Sequence, residues 1–260
     1  MRKWFDIRDE AEELRIDIYG PIGKWSWDDT AVSAKGVMDA VGQANGKPIA
    51  LHVNSEGGSV FDGFAIYTAL RDCPSKVTAY IDGLAASAAS YVVMAADEII
   101  MSDVAWMMIH SASSCVWGNK KDFLKEAEML DGIDKGIAKA YANHSEGLGF
   151  EEFLALMEAE TWLDAETAKS YGLVDTISEA LPAAASLDLY DSQLLDRAPD
   201  EARKAVMAMS KKAKSDTSTI INKVDDADEH HTNASDEEAL YRVIDGRLFR
   251  LEGRKEGTNA

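Results

Sequence analysis

A serine and a histidine that follow two strand-like stretches have the clearest capacity for chemistry in this chain. Ser87 lies among small residues at positions 83–90, where a strand gives way to a helix, and Met108-Ile109-His110 ends a later strand. A serine hydroxyl is a poor nucleophile at its ordinary pKa and needs a neighbouring base. His110 can take the proton of Ser87 and return it to a leaving amine. The pair predicts nucleophilic catalysis on an acyl group.

A glycine turn upstream suits the oxyanion that such a reaction forms. Asn54-Ser55-Glu56-Gly57-Gly58 reads as a strand end that runs into a turn whose backbone amides are open to a ligand. The chemistry requires two donors about 3 Å from the oxyanion. Gly57-Gly58 alone would also fit a plain turn.

Strand and helix patterns alternate along the chain, and the candidate residues fall at the ends of predicted strands. Strands are predicted at residues 14–19, 49–54, 77–81, 98–101 and 105–109, and helices at 31–45, 60–72 and 87–95, the first capped by residues 28–30. The strand at 49–54 is almost continuously apolar, as a strand buried on both faces should be. The alternation predicts a parallel, layered α/β sheet.

Composition excludes several classes of function. The 260 residues carry a formal net charge of −19, which argues against a nucleic-acid or anionic-membrane surface. No apolar run approaches the length of a membrane span, and the N-terminus has no apolar core of a secretory signal. Two cysteines, Cys73 and Cys115, suit a reducing compartment, so we expect a cytoplasmic protein. Histidine and cysteine spacing predicts no metal site, and no cofactor or phosphate-binding loop is expected.

Three motifs together resemble the Clp protease proteolytic subunit, within the crotonase-like superfamily. N-S-x-G-G at 54–58, G-x-A-A-S at 83–87 and M-I-H at 108–110 stand in the order of that family, and the resemblance covers about residues 14–177. It implies a crotonase/ClpP-like layered fold with a long protruding helix, and a serine endopeptidase that acts on polypeptides as a homo-oligomeric ring. It also implies Ser87 rather than Ser90 as the nucleophile, and the N–H groups of Gly58 and Ala88 as the oxyanion hole.

The acid that would orient the histidine departs from the family pattern. The family has an aspartate shortly before the phrase that reads Thr161-Trp162-Leu163 here, and counting back without gaps reaches Leu156, which cannot act as an acid. Glu160 is the first choice because it directly precedes the Thr-Trp turn. Glu158 is the alternative, and a Ser–His dyad without an acid is the third option.

A long amphipathic stretch at residues 120–141 allows two interpretations. Its apolar face, from Phe123 to Tyr141, predicts a helix that packs on the core. The family resemblance implies instead that the helix joins two rings face to face.

The alternation of strand and helix patterns gives way to polar, charged sequence beyond residue 180. We expect a Clp-like protease domain at 1–180 and a mostly disordered, polar tail at 181–260, with a short hairpin signal around Asp245-Gly246 at residues 240–251. Because a two-stranded hairpin is marginal alone, it would need a partner surface.

Within the family, short sequence segments such as Phe61-Asp62-Gly63 and Glu160-Thr161-Trp162 look most like the phage or prophage branch of capsid-maturation (prohead) proteases. Housekeeping Clp subunits carry a longer N-terminal segment for docking an unfoldase, whereas the first strand here is predicted already near Leu14. This early strand and the polar extension fit the phage branch. The alternative is a housekeeping Clp subunit that works with an ATPase unfoldase, since any ATP dependence must come from a partner. A crotonase-fold acyl-CoA enzyme, a silent scaffold and a lysine-base signal-peptide peptidase are the remaining classes; no lysine lies between Lys76 and Lys120.

Overall fold

An eight-stranded mixed sheet carries the fold. The computed structural model describes residues 5–10, 12–23, 32–179, 192–207, 241–244 and 247–250. The sheet runs in the order β1-β2-β3-β4-β5-β8, and β6 pairs with both β4 and β7. Its strands are β1 Phe5–Asp9, β2 Leu14–Ile18, β3 Ile49–Ser55, β4 Val77–Ala86, β5 Glu98–Ser102, β6 Trp106–Ile109, β7 Thr161–Asp164 and β8 Thr176–Ser178.

Helices cover this sheet and supply most of the residues that pack against it. They are α1 Ala34–Gln43, α2 Val60–Arg71, α3 Ala88–Val92, α4 Lys120–His144, α5 Phe150–Glu158, α6 Ala165–Ser170 and α7 Ser192–Arg197, with a 3₁₀ turn at Val93–Ala95 after α3. The central strand β3 is buried on both faces, as its apolar sequence predicts. The layered α/β arrangement expected from the alternating pattern is present.

Three details differ from the sequence prediction. The sheet is not wholly parallel, because β1 pairs antiparallel with β2 and β7 pairs antiparallel with β6. The first strand begins at Phe5 rather than near Leu14, because β1 precedes the strand that was predicted as the first. The N-cap of α1 is Ser33, whose hydroxyl accepts from the Gly36 N–H, and not a residue at 28–30.

Strand β4 is longer than predicted. It continues through Asp82 and Gly83, beyond the end predicted at residue 81, and ends at Ala86. Its first part pairs with β3 and β5, and its last residues, Leu84 to Ala86, pair with β6. The extension brings the end of β4 directly beside the end of β6.

The long helix α4 packs on the core through one half only, and its role in joining two rings stays a prediction. Its C-terminal half is buried, with Ile137 and Tyr141 in the core. Its N-terminal half begins with a capping box from Asn119 and Asp122 and leaves large apolar side chains exposed, namely Phe123, Leu124 and Met129. The C-terminal half therefore packs in the core with α5 and the 3₁₀ turn, and the N-terminal half is largely exposed.

Residues 192–207 lie in the segment for which a polar tail was predicted. After α7, residues 200–207 are also helical, and Leu194 is buried against Leu84, Ala86 and Met108. This stretch is thus packed onto the sheet, whereas the boundary at residue 180 stays a prediction. The chain divides into two compact units, Lys3–Asp216 and Met1–Arg2 with Thr217–Ala260. In the second unit, β9 Tyr241–Ile244 and β10 Arg247–Arg250 pair antiparallel, where the hairpin was predicted.

Candidate active site

Ser87 occupies a sharp turn between β4 and α3. Its backbone has φ 51° and ψ −123°, a conformation that L-residues rarely adopt. The Ser87 N–H donates to the carbonyl of Met108 at 2.9 Å, so the β4–β6 pairing extends to the serine. Such strain costs about 1–3 kcal/mol and persists only where the surrounding structure imposes it. Here the buried ends of β4 and β6 impose it and present the hydroxyl.

The glycine turn after β3 lies against this serine. A Cβ added to Gly57 would come within 2.7 Å of the Ser87 Cβ and 2.6 Å of the Ala88 nitrogen. Gly57 and Gly58 also have φ values of +91° and +142°, which favour glycine. Gly58 is further fixed by a parallel bridge to Ile22. Both glycines are therefore required, and the two predicted oxyanion donors, at Gly58 and Ala88, belong to neighbouring turns.

His110 lies within hydrogen-bond distance of the serine. Its Nε2 is 2.8 Å from the Ser87 Oγ. Burial lowers the pKa of His110 below its ordinary value of 6.5; Glu160 and Asp134 oppose this shift and Arg197 adds to it. The imidazole is thus neutral near pH 7 and can accept a proton through Nε2.

Glu160 faces the other side of the imidazole ring. Its Oε2 is 4.0 Å from the His110 Nδ1, which is an ion-pair distance but too long for a hydrogen bond. Glu160 follows the C-terminus of α5 in the left-handed region, at φ 48°. The Thr161 hydroxyl donates to the Leu156 carbonyl at 2.6 Å and closes this turn. The Thr that follows Glu160 therefore helps to set the direction of the carboxylate.

The alternatives for the acid and the nucleophile are placed elsewhere. Glu158 is exposed at the end of α5, and the Leu156 carbonyl only accepts the turn hydrogen bond. Ser90 is buried, donates to the Ser87 carbonyl at 2.5 Å and shares a 2.7 Å hydrogen bond with the Tyr141 hydroxyl. The geometry thus favours Ser87 and Glu160, the residues that the sequence favoured.

The other described histidines have different partners. His52 Nδ1 is 2.8 Å from Asp82 and its ring stacks on Tyr80. His144 lies 3.9 Å from Asp175. His230 and His231 lie outside the described residues. Within the described part of the chain, His110 is the histidine that contacts Ser87.

Sequence reasoning missed two charged residues near His110. Asp134 on α4 accepts from the Ala112 N–H at 2.7 Å and so fixes the chain that leaves β6. Arg197 on α7 lies 3.1 Å from the Glu160 Oε2. No local motif marks either residue, because both reach the site from elements that are distant in the sequence.

The described residues contain neither a candidate metal cluster nor a helix that could span a membrane. Among them, no group of three or more His, Cys, Asp or Glu side chains could hold a metal ion. No helix within the same ranges is long and apolar enough to cross a membrane.

Comparison with known proteins identifies the family. The family model for Clp protease matches residues 2–180. ATP-dependent Clp protease proteolytic subunit 1 of Streptomyces avermitilis is 36% identical over 135 residues, which are 51% of this chain and 62% of that relative. The Clp protease proteolytic subunit of Chara vulgaris is 31% identical over 204 residues, 74% of this chain and 93% of that relative.

A solved structure agrees with these matches. A ClpP1 mutant of Listeria monocytogenes superimposes with a TM-score of 0.54 and 23% identity, and covers 62% of this chain and 88% of that one. The predicted ClpP-like α/β fold is confirmed. The chain belongs to the Clp protease family.

Proposed function

We propose that this protein is a serine endopeptidase in which Ser87 is the nucleophile and His110 the general base. The observation that carries the proposal is the 2.8 Å contact between Ser87 Oγ and His110 Nε2 at a strained turn. A serine activated in this way is the arrangement that acyl transfer needs. An acyl-CoA enzyme or a silent scaffold of the same superfamily would have no use for it.

The reaction follows from these positions. His110 Nε2 takes the hydroxyl proton as Ser87 Oγ attacks the peptide carbonyl, and the carbonyl oxygen becomes an oxyanion. The protonated His110 then gives its proton to the leaving amine, and the C–N bond breaks. Water, deprotonated by the same nitrogen, hydrolyses the acyl-Ser87 ester and restores the free enzyme. Glu160 favours the imidazolium that forms in each step.

Two further parts of the proposal concern the substrate. The N–H groups of Gly58 and Ala88 are the donors for the oxyanion, because their turns meet at Ser87. An extended peptide is expected to pair by β-augmentation beside Gly58, at the turn directly before α2 begins at Val60. Gly58 is itself held by its bridge to Ile22.

For the biological role, we propose capsid maturation in a phage or prophage, with capsid or scaffold proteins as substrates. The support is the set of branch-like phrases, including Glu160-Thr161-Trp162, and the polar extension after the protease domain. A housekeeping subunit that receives substrate from an ATPase unfoldase is the second candidate, and the names of the two curated relatives favour it. Cleavage of folded procapsid proteins without ATP would support the first role, and a strict need for an ATPase partner would support the second.

We also propose assembly into a homo-oligomeric ring. The N-terminal half of α4 exposes Phe123 and Leu124 by 52% and 55%, together with Met129. A row of large apolar side chains on an exposed stretch of helix is typical of a surface that another subunit covers. Light scattering at micromolar concentration should give a mass several times 28.4 kDa, and a monomer would contradict assembly.

The experiment that tests the catalytic proposal compares two serine variants. Ser87→Ala should abolish hydrolysis of an unfolded protein such as casein, because no other described group can replace the Oγ beside His110. The matched control is Ser90→Ala, which removes a hydroxyl one turn away and should keep most of the activity if the protein remains folded by circular dichroism. Undiminished hydrolysis by Ser87→Ala would refute the proposal.

A further inference from the structure

The helical segment at residues 192–207 follows the part of the chain that the family model matches and packs behind the candidate active site. Leu194 on α7 is only 5% exposed and belongs to one apolar cluster with Leu84, Ala86 and Met108. These three residues are the paired ends of β4 and β6, next to Ser87 and His110. The segment is therefore docked on the strands that carry the catalytic pair.

Arg203 fixes the end of α7. It donates to the carbonyls of Leu195, Asp196 and Ala198 at 3.0, 2.9 and 3.2 Å. These carbonyls lie at the C-terminus of the helix, where cations satisfy backbone acceptors. Arg197 is the last residue of this braced helix, so the backbone from which its guanidinium reaches Glu160, just before β7, is fixed.

One carboxylate oxygen lies between Arg197 and the catalytic histidine. Glu160 Oε2 is 3.1 Å from the Arg197 Nη1 and 4.0 Å from the His110 Nδ1. The shorter contact is an ion pair within hydrogen-bond range, whereas the longer one exceeds that range. A carboxylate oxygen that also pairs with a guanidinium stabilises an imidazolium less well than one that is hydrogen-bonded to the imidazolium alone.

The charge of Arg197 also acts directly against protonation of His110. Glu160 and Asp134 face the imidazole as negative groups, and Arg197 faces it as a positive group that contributes to the lowered pKa of His110. A positive charge that disfavours the imidazolium also disfavours the transition state, in which that imidazolium forms. The pair is partly exposed, 56% for Arg197 and 26% for Glu160, so its effect is moderate.

We propose that Arg197 is a positioning residue that restrains Glu160, so that the docked segment at 192–207 holds the catalytic serine in a less reactive state. Release of the segment, or loss of Arg197, lets Glu160 close on His110 Nδ1. This inference rests on the proposed serine-protease function and adds to it a control element that the protease domain carries in its own chain.

The test measures the rate at which a fluorophosphonate modifies Ser87 in the full-length protein at pH 8. This probe needs the activated serine but no knowledge of the cleavage specificity. Arg197→Met should raise the second-order rate about two- to fivefold, the range for a partly exposed ion pair. Arg197→Lys, which keeps the charge, should stay close to the wild type. Lys204→Met removes an exposed charge from the same segment and serves as the matched control.

Three further measurements exclude a merely structural effect of Arg197→Met. The acid limb of the labelling rate should move to higher pH, because a group that lowers the pKa of His110 has been removed. In a Glu160→Gln background most of the rate increase should be lost, because only the direct effect of the Arg197 charge on His110 remains. Leu194→Gln, which weakens docking, should raise the rate as Arg197→Met does, and the double variant should show no second increase.

The results separate this inference from the proposed function. An unchanged or lower rate in Arg197→Met, or a rate increase of undiminished size in the Glu160→Gln background, would overturn the restraint while Ser87 still labels. Failure of the wild type to label at Ser87 would overturn the proposed function itself, and this inference with it.

Discussion

The two halves of the candidate active site are built in different ways. Ser87 and His110 stand at the buried ends of β4 and β6, and strand pairing fixes the distance between them. Glu160 stands in a surface turn after α5, and its nearest charged contact is Arg197 from outside the family-matched region. The positions of Ser87 and His110 are set by buried strand ends. The position of Glu160 is set by a helix turn and an ion pair. The proposed chemistry thus resides at the ends of two strands of the sheet, and its proposed modulation resides at the surface.

The largest effect is expected from replacing His110, one of the two residues at the buried strand ends. His110→Ala should lower kcat for peptide hydrolysis about 10⁴-fold or more, because nucleophile and base act as one unit. Adding Ser87→Ala to it should cost little further. Steady-state kinetics on the three variants measures this non-additivity, and independent, multiplying losses would show that the two residues do not act together.

A smaller loss of activity is expected from replacing Glu160, the residue in the surface turn. Glu160→Gln should lower kcat about five- to thirtyfold, equivalent to about 1–2 kcal/mol of transition-state stabilisation at its distance and exposure. Because the Glu160 charge raises the pKa of His110, its removal should move the acid limb of kcat/KM to lower pH. Glu158→Gln is the matched control and should change neither quantity. Equal effects of both variants would move the acid role away from Glu160, and no effect of either would leave a dyad.

The smallest effect concerns the strain at Ser87. Glycine adopts φ 51° and ψ −123° without the penalty that a Cβ carries, whereas alanine does not. Ser87→Gly should therefore be more stable than Ser87→Ala by about 1 kcal/mol, after the entropy that glycine gains in the unfolded chain. Urea unfolding of the two inactive variants gives this difference. A less stable Ser87→Gly would show that the turn is not strained.

The same division decides what the sequence could predict. The positions of Ser87 and His110 follow from short local motifs at strand ends, and the order of those motifs implied the fold. The cap at Ser33 and the length of β4 were mispredicted, since the acidic residues at 28–29 and Gly83 carry local signals that tertiary pairing overrides. Strand β1 was missed, although Phe5 and Ile7 alternate with charged residues as an edge strand requires.

The acid side of the site could be predicted only in part. Glu160 was favoured by its place before a Thr-Trp turn, but its left-handed backbone, a signal of a constrained position, is visible only in the structure. Arg197 carries no motif and lies in a stretch whose composition suggested a tail. Its contact with Glu160 depends on the docking of Leu194, a long-range packing event that no local pattern encodes.

The most direct test of the central claim is to map the site of covalent modification. Fluorophosphonate-treated protein, digested and analysed by mass spectrometry, should carry the adduct on Ser87, with about one label per chain, and the adduct should vanish in His110→Ala and in urea-unfolded protein. A label on Ser90 or another serine, or labelling of Ser87 that persists without His110, would contradict the assignment of these two residues as the catalytic pair.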